Sequence, residues 1–444
     1  MNLTFTLAAS FALLSGTAAA QTLPRRAFVG INLQGLNDSI QRRYHLPDQR
    51  GILVTGVREQ SSAQAAGLLP NDVVRQVDKT PVQDVPQFVG LLKQFKTGDQ
   101  STFTLLRNGK TLRKKLTFTA FPAERSPHYT VEYGAVQHAQ NRLRTIITRP
   151  THAAGPKVPL VLFIQGVGCY SIDNPLTPDT PERRIIDSLS RHGYATLRVD
   201  KTGMGDSQGI PCLQADLRTE TGGYRAGLAA ARQLPWVDAD NVFITGFSIG
   251  GVLAPLVAED VPVKGIVTWG TASRSFIEYL LHNKRNQSTL AGMPYDKINE
   301  QQQLYAAVLH LLLTEKQTPE QVLARYPNAG DLLRFPQHYS YMQQWQDLNL
   351  AAAWQRLNTR VLALRGAADY ISYSEDQQLL VDVVNRAHPG QARFQLLPDV
   401  DHGFTRARDM PESLRLSEAP NPAKNFDFVN VIIRWLDETR QQKS

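Results

Sequence analysis

The 444-residue chain has only two cysteines, Cys169 and Cys212. That excludes a fold scaffolded by disulfides and any four-thiolate metal site, while leaving room for one bridge in an oxidising compartment. No His-Glu-x-x-His pattern occurs and the histidines are scattered, so zinc-protease chemistry is not implied. No glycine-rich P-loop follows a strand either, and neither metal nor cofactor is expected. Beyond the first twenty residues no stretch approaches the roughly 18 consecutive apolar residues that span a bilayer, so no membrane span is expected. The basic excess is unaccompanied by any nucleic-acid-binding module, and no nucleic acid is expected as a partner.

With 42% hydrophobic and 20% charged residues, the composition is that of a folded globular protein. The length suits two or three domains. The opening "MNLTFTLAASFALLSGTAAAQ" has an apolar run from Leu3 to Leu14 and then Ala18-Ala19-Ala20, fitting an A-x-A cleavage site before Gln21. Residues 1–20 therefore read as a removable export signal, although they lack the usual Lys or Arg, and the mature protein is expected in the periplasm or outside the cell. The net charge of +8 is uneven. Residues 21–125 hold 16 Lys and Arg against 8 Asp and Glu, and the remainder holds 32 of each. Such a segment can face an anionic partner or simply present a solvated basic surface.

From about Arg25 to Phe121 the chain reads as short strands: "AFVGINL", "GILVTGV", "DVVRQVD", and a hairpin turning at Asn108-Gly109. Two helical stretches, "SSAQAAGL" and "VPQFVGLLKQF", interrupt them. On "FVGI", "SSAQAAGL" and "NDVV", this segment resembles a PDZ domain of HtrA-type exported proteases, with Asn71 standing where the family has glycine. The resemblance implies a carboxylate-binding loop at Phe28, Val29, Gly30 and Ile31, and capture of a peptide C-terminus as an added strand. A module that merely packs beside its neighbour is the alternative.

After Tyr129 strands alternate with helices: "RLRTIITRP", "PLVLFIQG", "ATLRVD", "NVFITG", "VKGIVTWG", "RVLALRG" and "RFQLLPD", with helical segments between them and a final helix "FDFVNVIIRWLDETR". This predicts an α/β fold, a doubly wound, mostly parallel sheet covered on both faces. A largely helical insertion at about 272–357 is expected to sit over the strand ends as a lid. Its apolar runs "FIEYLL" and "YAAVLHLLL" suit either an acyl pocket or core packing.

"GDSQG" (205–209) and "GFSIG" (246–250) both match Gly-x-Ser-x-Gly. Only Ser248 lies between a strand and an immediate helix, the setting that exposes a nucleophile at a helix N-terminus. Ser207 lies in a loop. A serine nucleophile needs a base and a group to orient it. Asp369 follows the strand "RVLALRG" and His402 follows "RFQLLPD", so both fall on the strand-end rim that carries Ser248. Asp399 and Asp401 are too close to His402 to serve as the separate acid.

From Leu160 onward the sequence resembles the α/β-hydrolase fold, particularly its exported esterase and S9-peptidase-like members. The resemblance implies Ser248 as nucleophile, His402 as general base and acid, and Asp369 as its orienter. It implies an oxyanion hole from the backbone N–H groups of Ile249 and of Val167, in a loop where Gln165-Gly166 replaces the family's His-Gly. Within it "DKTGMGDSQG" is a structural loop that includes Ser207. Cys169 then sits in the oxyanion loop and Cys212 just past "GDSQG". A disulfide between them would steady that loop, and two unpaired buried cysteines are the alternative. The function expected is an exported serine hydrolase that cleaves carboxylic esters through an acyl-enzyme. A prolyl-oligopeptidase-type enzyme would carry a propeller of several hundred residues, and no such segment occurs. A peptidase fed by the PDZ domain is second, and a non-catalytic peptide-binding protein on a hydrolase scaffold is third.

Overall fold

The computed structural model describes residues 23–153 and 155–442. The expected export signal, residues 1–20, lies outside them.

The N-terminal unit contains β1 (Ala27–Phe28), β2 (Ile31–Gly35), α1 (Asp38–Arg43), β3 (Ile52–Val57), α2 (Ser62–Ala65), β4 (Val73–Val77), β5 (Thr80–Pro81), α3 (Val85–Leu92), β6 (Gln100–Arg107), β7 (Lys110–Thr117) and β8 (Thr119–Ala120). Its main sheet runs β2-β3-β4-β6-β7, with β5 against β4, and β1 pairs with β8. Each helix starts at a side-chain oxygen that accepts a first-turn N–H: Asn37 from Ile40, Ser61 from Gln64, Asp84 from Gln87. Phe88, Phe103 and Phe118 fill the core with Ile52, Val54 and Val74.

The second unit is built on eight strands: β9 (Tyr129–His138), β10 (Asn141–Pro150), β11 (Val158–Ile164), β12 (Ala195–Val199), β13 (Val237–Phe247), β14 (Gly265–Trp269), β15 (Arg360–Gly366) and β16 (Ala392–Leu397). Their order is β16-β15-β14-β13-β11-β12-β10-β9. β9 and β10 are antiparallel additions at one edge and the other six strands are parallel. All seven residues of β11 are buried, as a strand covered on both faces requires. The order reverses at β11, where β12 lies on one side and β13 on the other. That crevice is where open α/β sheets bind ligands.

One face of the sheet is covered by α4 (Pro181–Arg191) and, at the end of the chain, the helix Phe428–Gln441. The other carries α5 (Leu217–Arg232) and α6 (Ile249–Asp260). The insertion between β14 and β15 contributes α7 (Phe276–Leu290), α8 (Tyr295–Leu309), α9 (Pro319–Arg325), α10 (Tyr339–Gln346) and α11 (Leu350–Gln355). Val308, Leu309, Leu311, Leu312 and Leu313 are buried in the same core as Val252 and Leu253 of α6. The run "YAAVLHLLL" therefore serves packing and anchors the insertion to the domain. After β15 come α12 (Ser374–Ala387), α13 (Met410–Leu416) and α14 (Phe428–Gln441).

Hydrophobic pattern does not announce α1, β9, α12 or α13, and for β9 and α12 the reason is physical. β9, at the sheet edge, has only intermediate and exposed positions after Tyr129 and so carries no run of buried apolar residues. α12 buries Asp376 and Gln377 near its start instead of apolar residues. Asp376 accepts hydrogen bonds from Ser273 N and Arg274 N, and Gln377 donates to Thr271 O. The expected single strand "AFVGINL" is split, because Gly30 takes φ +74° and a Cβ there would lie 2.2 Å from Ser61 Cβ.

Charged groups join the two units. Arg25 pairs with Asp206 at 2.6 Å and Asp173 at 2.8 Å, and its guanidinium lies 4.2 Å from the centre of the Tyr133 ring. Arg144 of β10 also reaches Asp206, at 3.1 Å, and donates to Leu23 O.

Candidate active site

Ser248 stands between β13 and α6 with φ 55° and ψ −116°, a left-handed conformation unusual for a residue with a side chain. Its N–H donates to Trp269 O at 2.8 Å, tying the turn to the end of the neighbouring strand. The close approach of helix to sheet depends on Gly250, where a Cβ would lie 2.4 Å from Ile164 O. Ile249 is the first residue of α6, so its N–H belongs to the helix N-terminus and takes no intrahelical partner.

His402 and Asp369 arrive from the ends of β16 and β15. His402 Nδ1 lies 2.8 Å from Asp369 Oδ2, which leaves Nε2 as the nitrogen available for proton transfer. Asp369 is fully buried and also accepts from Ile371 N, Ser372 N and Ser372 Oγ. The Asp369 turn is held by Arg365, whose guanidinium donates to Asp369 O and Ser372 O. Burial works to raise the pKa of Asp369, but the charge of His402 and these hydrogen bonds hold it below the ordinary carboxylate value. Burial works to lower the pKa of His402, but the Asp369 charge and hydrogen bond hold it above its ordinary 6.5.

Ser248 and this pair share one rim. The Phe247 ring lies 5.3 Å from the His402 ring, and Trp269, which accepts the Ser248 N–H, donates from Nε1 to His402 O. A Cβ on Gly270 would fall 2.9 Å from His402 Nδ1 and 3.0 Å from Asp369 Oδ2. Asp401 is turned to a different task, accepting from Thr405 N and Ser413 Oγ and so fixing the loop that carries His402.

Ser207 sits elsewhere. It is buried, donates to Asp200 O at 3.0 Å and accepts from Arg144 N at 2.9 Å, locking its loop to β10.

The loop after β11 starts beside the elbow, since Ile164 is in register with Gly246 of β13 and a Cβ on Gly166 would lie 3.2 Å from Phe247 Cδ1. Val167 is exposed. Gln165, in the place of the family's histidine, is buried and donates from Nε2 to Tyr170 O, closing the loop on itself. Asp200 accepts from Ile172 N and Ser171 Oγ; burial pushes its pKa up to about 6 against these bonds. Lys201, buried just past β12, donates to Gly166 O at 3.0 Å and pairs with Glu220 of α5 at 3.0 Å. Sequence reasoning missed Asp200, Lys201 and Glu220 in this support. The one available signal was the position of "DK" at a strand end.

Cys169 and Cys212 form a disulfide with 5.8 Å between their Cα atoms, linking the β11 loop to the segment past Ser207. With a sequence separation of 43, chain entropy alone assigns the bridge about 4 kcal/mol. A Cys169→Ser/Cys212→Ser variant is expected to lose about 2–4 kcal/mol in urea unfolding. Superimposable curves with and without reductant would contradict this.

At the proposed peptide loop, Phe28 is buried in β1 and its carbonyl accepts from Ser62 Oγ, while Val29 O and Gly30 O accept from Ala63 N and Arg58 N. Ile31 opens β2, which takes its sheet pairing from β3 alone among the described residues. α3 lies close to β2, with Val85 Cγ2 3.8 Å from where a Cβ on Gly35 would sit. Among the described residues no cluster of three or more His, Cys, Asp or Glu could hold a metal ion, and no helix is long and apolar enough to cross a membrane.

Comparison with known proteins places these two units. A PDZ domain profile matches residues 27–117, and the profile of the X-Pro dipeptidyl-peptidase (S15) family matches residues 140–381. A probable periplasmic serine endoprotease, DegP-like, from Pseudomonas fluorescens is 27% identical over 121 residues, which is 27% of this chain and 25% of that protein. The magnetosome formation protease MamE of Magnetospirillum gryphiswaldense is 30% identical over 94 residues, 21% of this chain and 12% of that protein. The chain thus spans a quarter or less of the length of these curated relatives. Among solved structures, Est1E from Butyrivibrio proteoclasticus has a TM-score of 0.43 at 13% identity, covering 70% of this chain and 99% of its own. A putative dipeptidyl aminopeptidase IV from Bacteroides ovatus has a TM-score of 0.43 at 14% identity, covering 77% of this chain and 40% of its own. Because the S15 profile takes in more than half of its residues, the chain belongs to the X-Pro dipeptidyl-peptidase (S15) family, with a PDZ domain ahead of its α/β-hydrolase fold.

Proposed function

We propose that the protein is an exported serine hydrolase that cleaves carboxylic esters through an acyl-enzyme on Ser248. The observation that carries this is the 2.8 Å His402–Asp369 pair on the rim of a strained serine elbow. In this reading His402 Nε2 takes the Ser248 proton as Oγ attacks the carbonyl carbon and returns it to the leaving alkoxide. Water then repeats the sequence to release the acid. Oxyanion charge falls on the N–H groups of Val167 and Ile249, the latter at the positive end of α6. The domains that divide this work are residues 25–121, a PDZ module whose Phe28–Ile31 loop takes a peptide C-terminus, and residues 127–444, the hydrolase. Location in the periplasm or outside the cell is supported by the Ala18–Ala20 pattern, the disulfide and the periplasmic naming of the DegP-like relatives.

A second reading, release of an N-terminal X-Pro dipeptide, is favoured by the family profile. One panel separates the two: short-chain p-nitrophenyl esters against Gly-Pro-p-nitroanilide, each with a Ser248→Ala control. Ester turnover that disappears in Ser248→Ala supports the first reading, and anilide turnover well above ester turnover supports the second. Fluorophosphonate labelling that survives in Ser248→Ala but vanishes in Ser207→Ala would overturn the assignment of the nucleophile.

A further inference from the structure

We propose that Lys201 is a positioning residue for the oxyanion hole, fixing and polarising the peptide unit that presents the Val167 N–H. The inference rests on the reading of Ser248 as nucleophile. Lys201 and Glu220 have side chains only 3% and 4% exposed, and the ammonium lies 3.0 Å from the carboxylate. A surface ion pair would be worth little, but a buried one has to be held by further hydrogen bonds. The further bond here is to Gly166 O, at 3.0 Å. Gly166 and Val167 share one peptide, and no peptide bond among the described residues is cis. In a trans peptide the C=O and N–H point in opposite directions. A cation fixed on the carbonyl side therefore aims the Val167 N–H away from Lys201 and holds the plane against rotation.

The same bond has an electronic consequence. A charge-assisted hydrogen bond to a peptide oxygen draws electron density toward that oxygen and strengthens the N–H of the same unit as a donor, an effect enlarged where the surroundings are dry. Gln165 and Asp200 fasten the loop on either side through Tyr170 O, Ser171 Oγ and Ile172 N, but neither touches the Gly166–Val167 peptide through a side chain. Lys201 does, through Gly166 O. Its effect belongs to the transition state, where charge develops on the substrate oxygen, and substrate binding should hardly register it.

The test is steady-state turnover of p-nitrophenyl acetate together with inhibition by a trifluoromethyl ketone, whose serine adduct carries the oxyanion, in wild type, Lys201→Met, Lys201→Arg and Glu220→Gln. For Lys201→Met the expected kcat loss is about ten- to hundredfold, below the 10²–10³ loss of a whole donor. KM should stay within about twofold and the ketone inhibition constant should rise by the same factor as kcat falls. If Lys201→Met does not fold, Lys201→Arg and Glu220→Gln carry the test, with smaller losses in which kcat and ketone affinity fall together. A folded Lys201→Met with wild-type kcat, or losses in any variant that leave ketone affinity untouched, overturns the proposal. Should the wild type neither turn over the ester nor bind the ketone, the reading of Ser248 falls and the proposal falls with it; an active wild type with an indifferent Lys201→Met removes the proposal alone.

Discussion

Replacing His402 by alanine is expected to lower kcat about 10⁴- to 10⁶-fold, the loss seen when one member of a serine–histidine unit is removed. The fold should survive, because the Asp369 carboxylate stranded by this change keeps the Ile371 N–H, the Ser372 N–H and the Ser372 hydroxyl as donors. Circular dichroism and thermal unfolding close to wild type, together with the lost turnover, would fit the assignment. Retention of more than a few per cent of the activity would remove His402 from the mechanism. The pH profile supplies a second reading of the same pair. A general base works only when neutral, so kcat/KM should rise with pH through the His402 ionisation and fall away on the acid side. Because the Asp369 charge and hydrogen bond outweigh burial and hold that ionisation above the ordinary histidine value, the acid limb should lie above 6.5. Asp369→Asn removes the charge that raises it. The limb should then move to lower pH while kcat falls about 10⁴-fold, since the amide no longer fixes the tautomer that leaves Nε2 free. A limb that stays in place would show that Asp369 does not set the His402 ionisation.

Much of this site was written locally in the sequence. The serine elbow is a strand, a turn and a helix in one unbroken stretch, Val237 to Asp260, and the acid and histidine each follow a readable strand. Parallel strands put their C-terminal ends on one rim, so Ser248, Asp369 and His402 fall on the same rim without any further information. The PDZ unit was legible for the same reason, through the short-range signals of "SSAQAAGL" and the Asn108-Gly109 turn. The charged supports were not. Arg198 finds Glu124 from 74 residues away, and Arg25 finds Asp206 from 181. A lone Arg or Glu in a sequence reads as solvated surface, and only the tertiary fold shows it to be buried. Lys201 and Glu220 belong to this group. So does α12, whose buried face starts with Asp376 and Gln377 and therefore breaks the apolar periodicity that marks a helix.

Glu124 offers the largest expected effect on stability. It lies in the short segment between β8 and β9 that joins the two units, and its side chain is fully buried. Arg198 of β12, equally buried, clasps it with two parallel hydrogen bonds of 2.8 Å, Nη1 to Oε1 and Nη2 to Oε2. Arg183 of α4 adds a 3.2 Å contact and Asn174 N donates at 2.9 Å. Glu124→Gln keeps the shape but leaves Arg198 buried without a counter-charge, so a loss of about 3–5 kcal/mol is expected. In thermal unfolding this is a fall on the order of 10 °C. Replacing Glu124 and Arg198 together by Gln and Met should cost less than the first change alone, because the stranded charge is gone. The pH dependence follows from the sign of the shift. Burial works to raise the Glu124 pKa, but the Arg198 charge and hydrogen bonds overcome it and hold the value below that of an ordinary glutamate. Its contribution is therefore complete above the unfolded-state pKa and is lost as pH falls through the lower folded value. Wild type should lose stability in acid more steeply than Glu124→Gln. Parallel acid-unfolding curves for the two proteins, or a single change that costs less than about 1 kcal/mol, would show that the clasp is solvated, at the weight of an exposed pair.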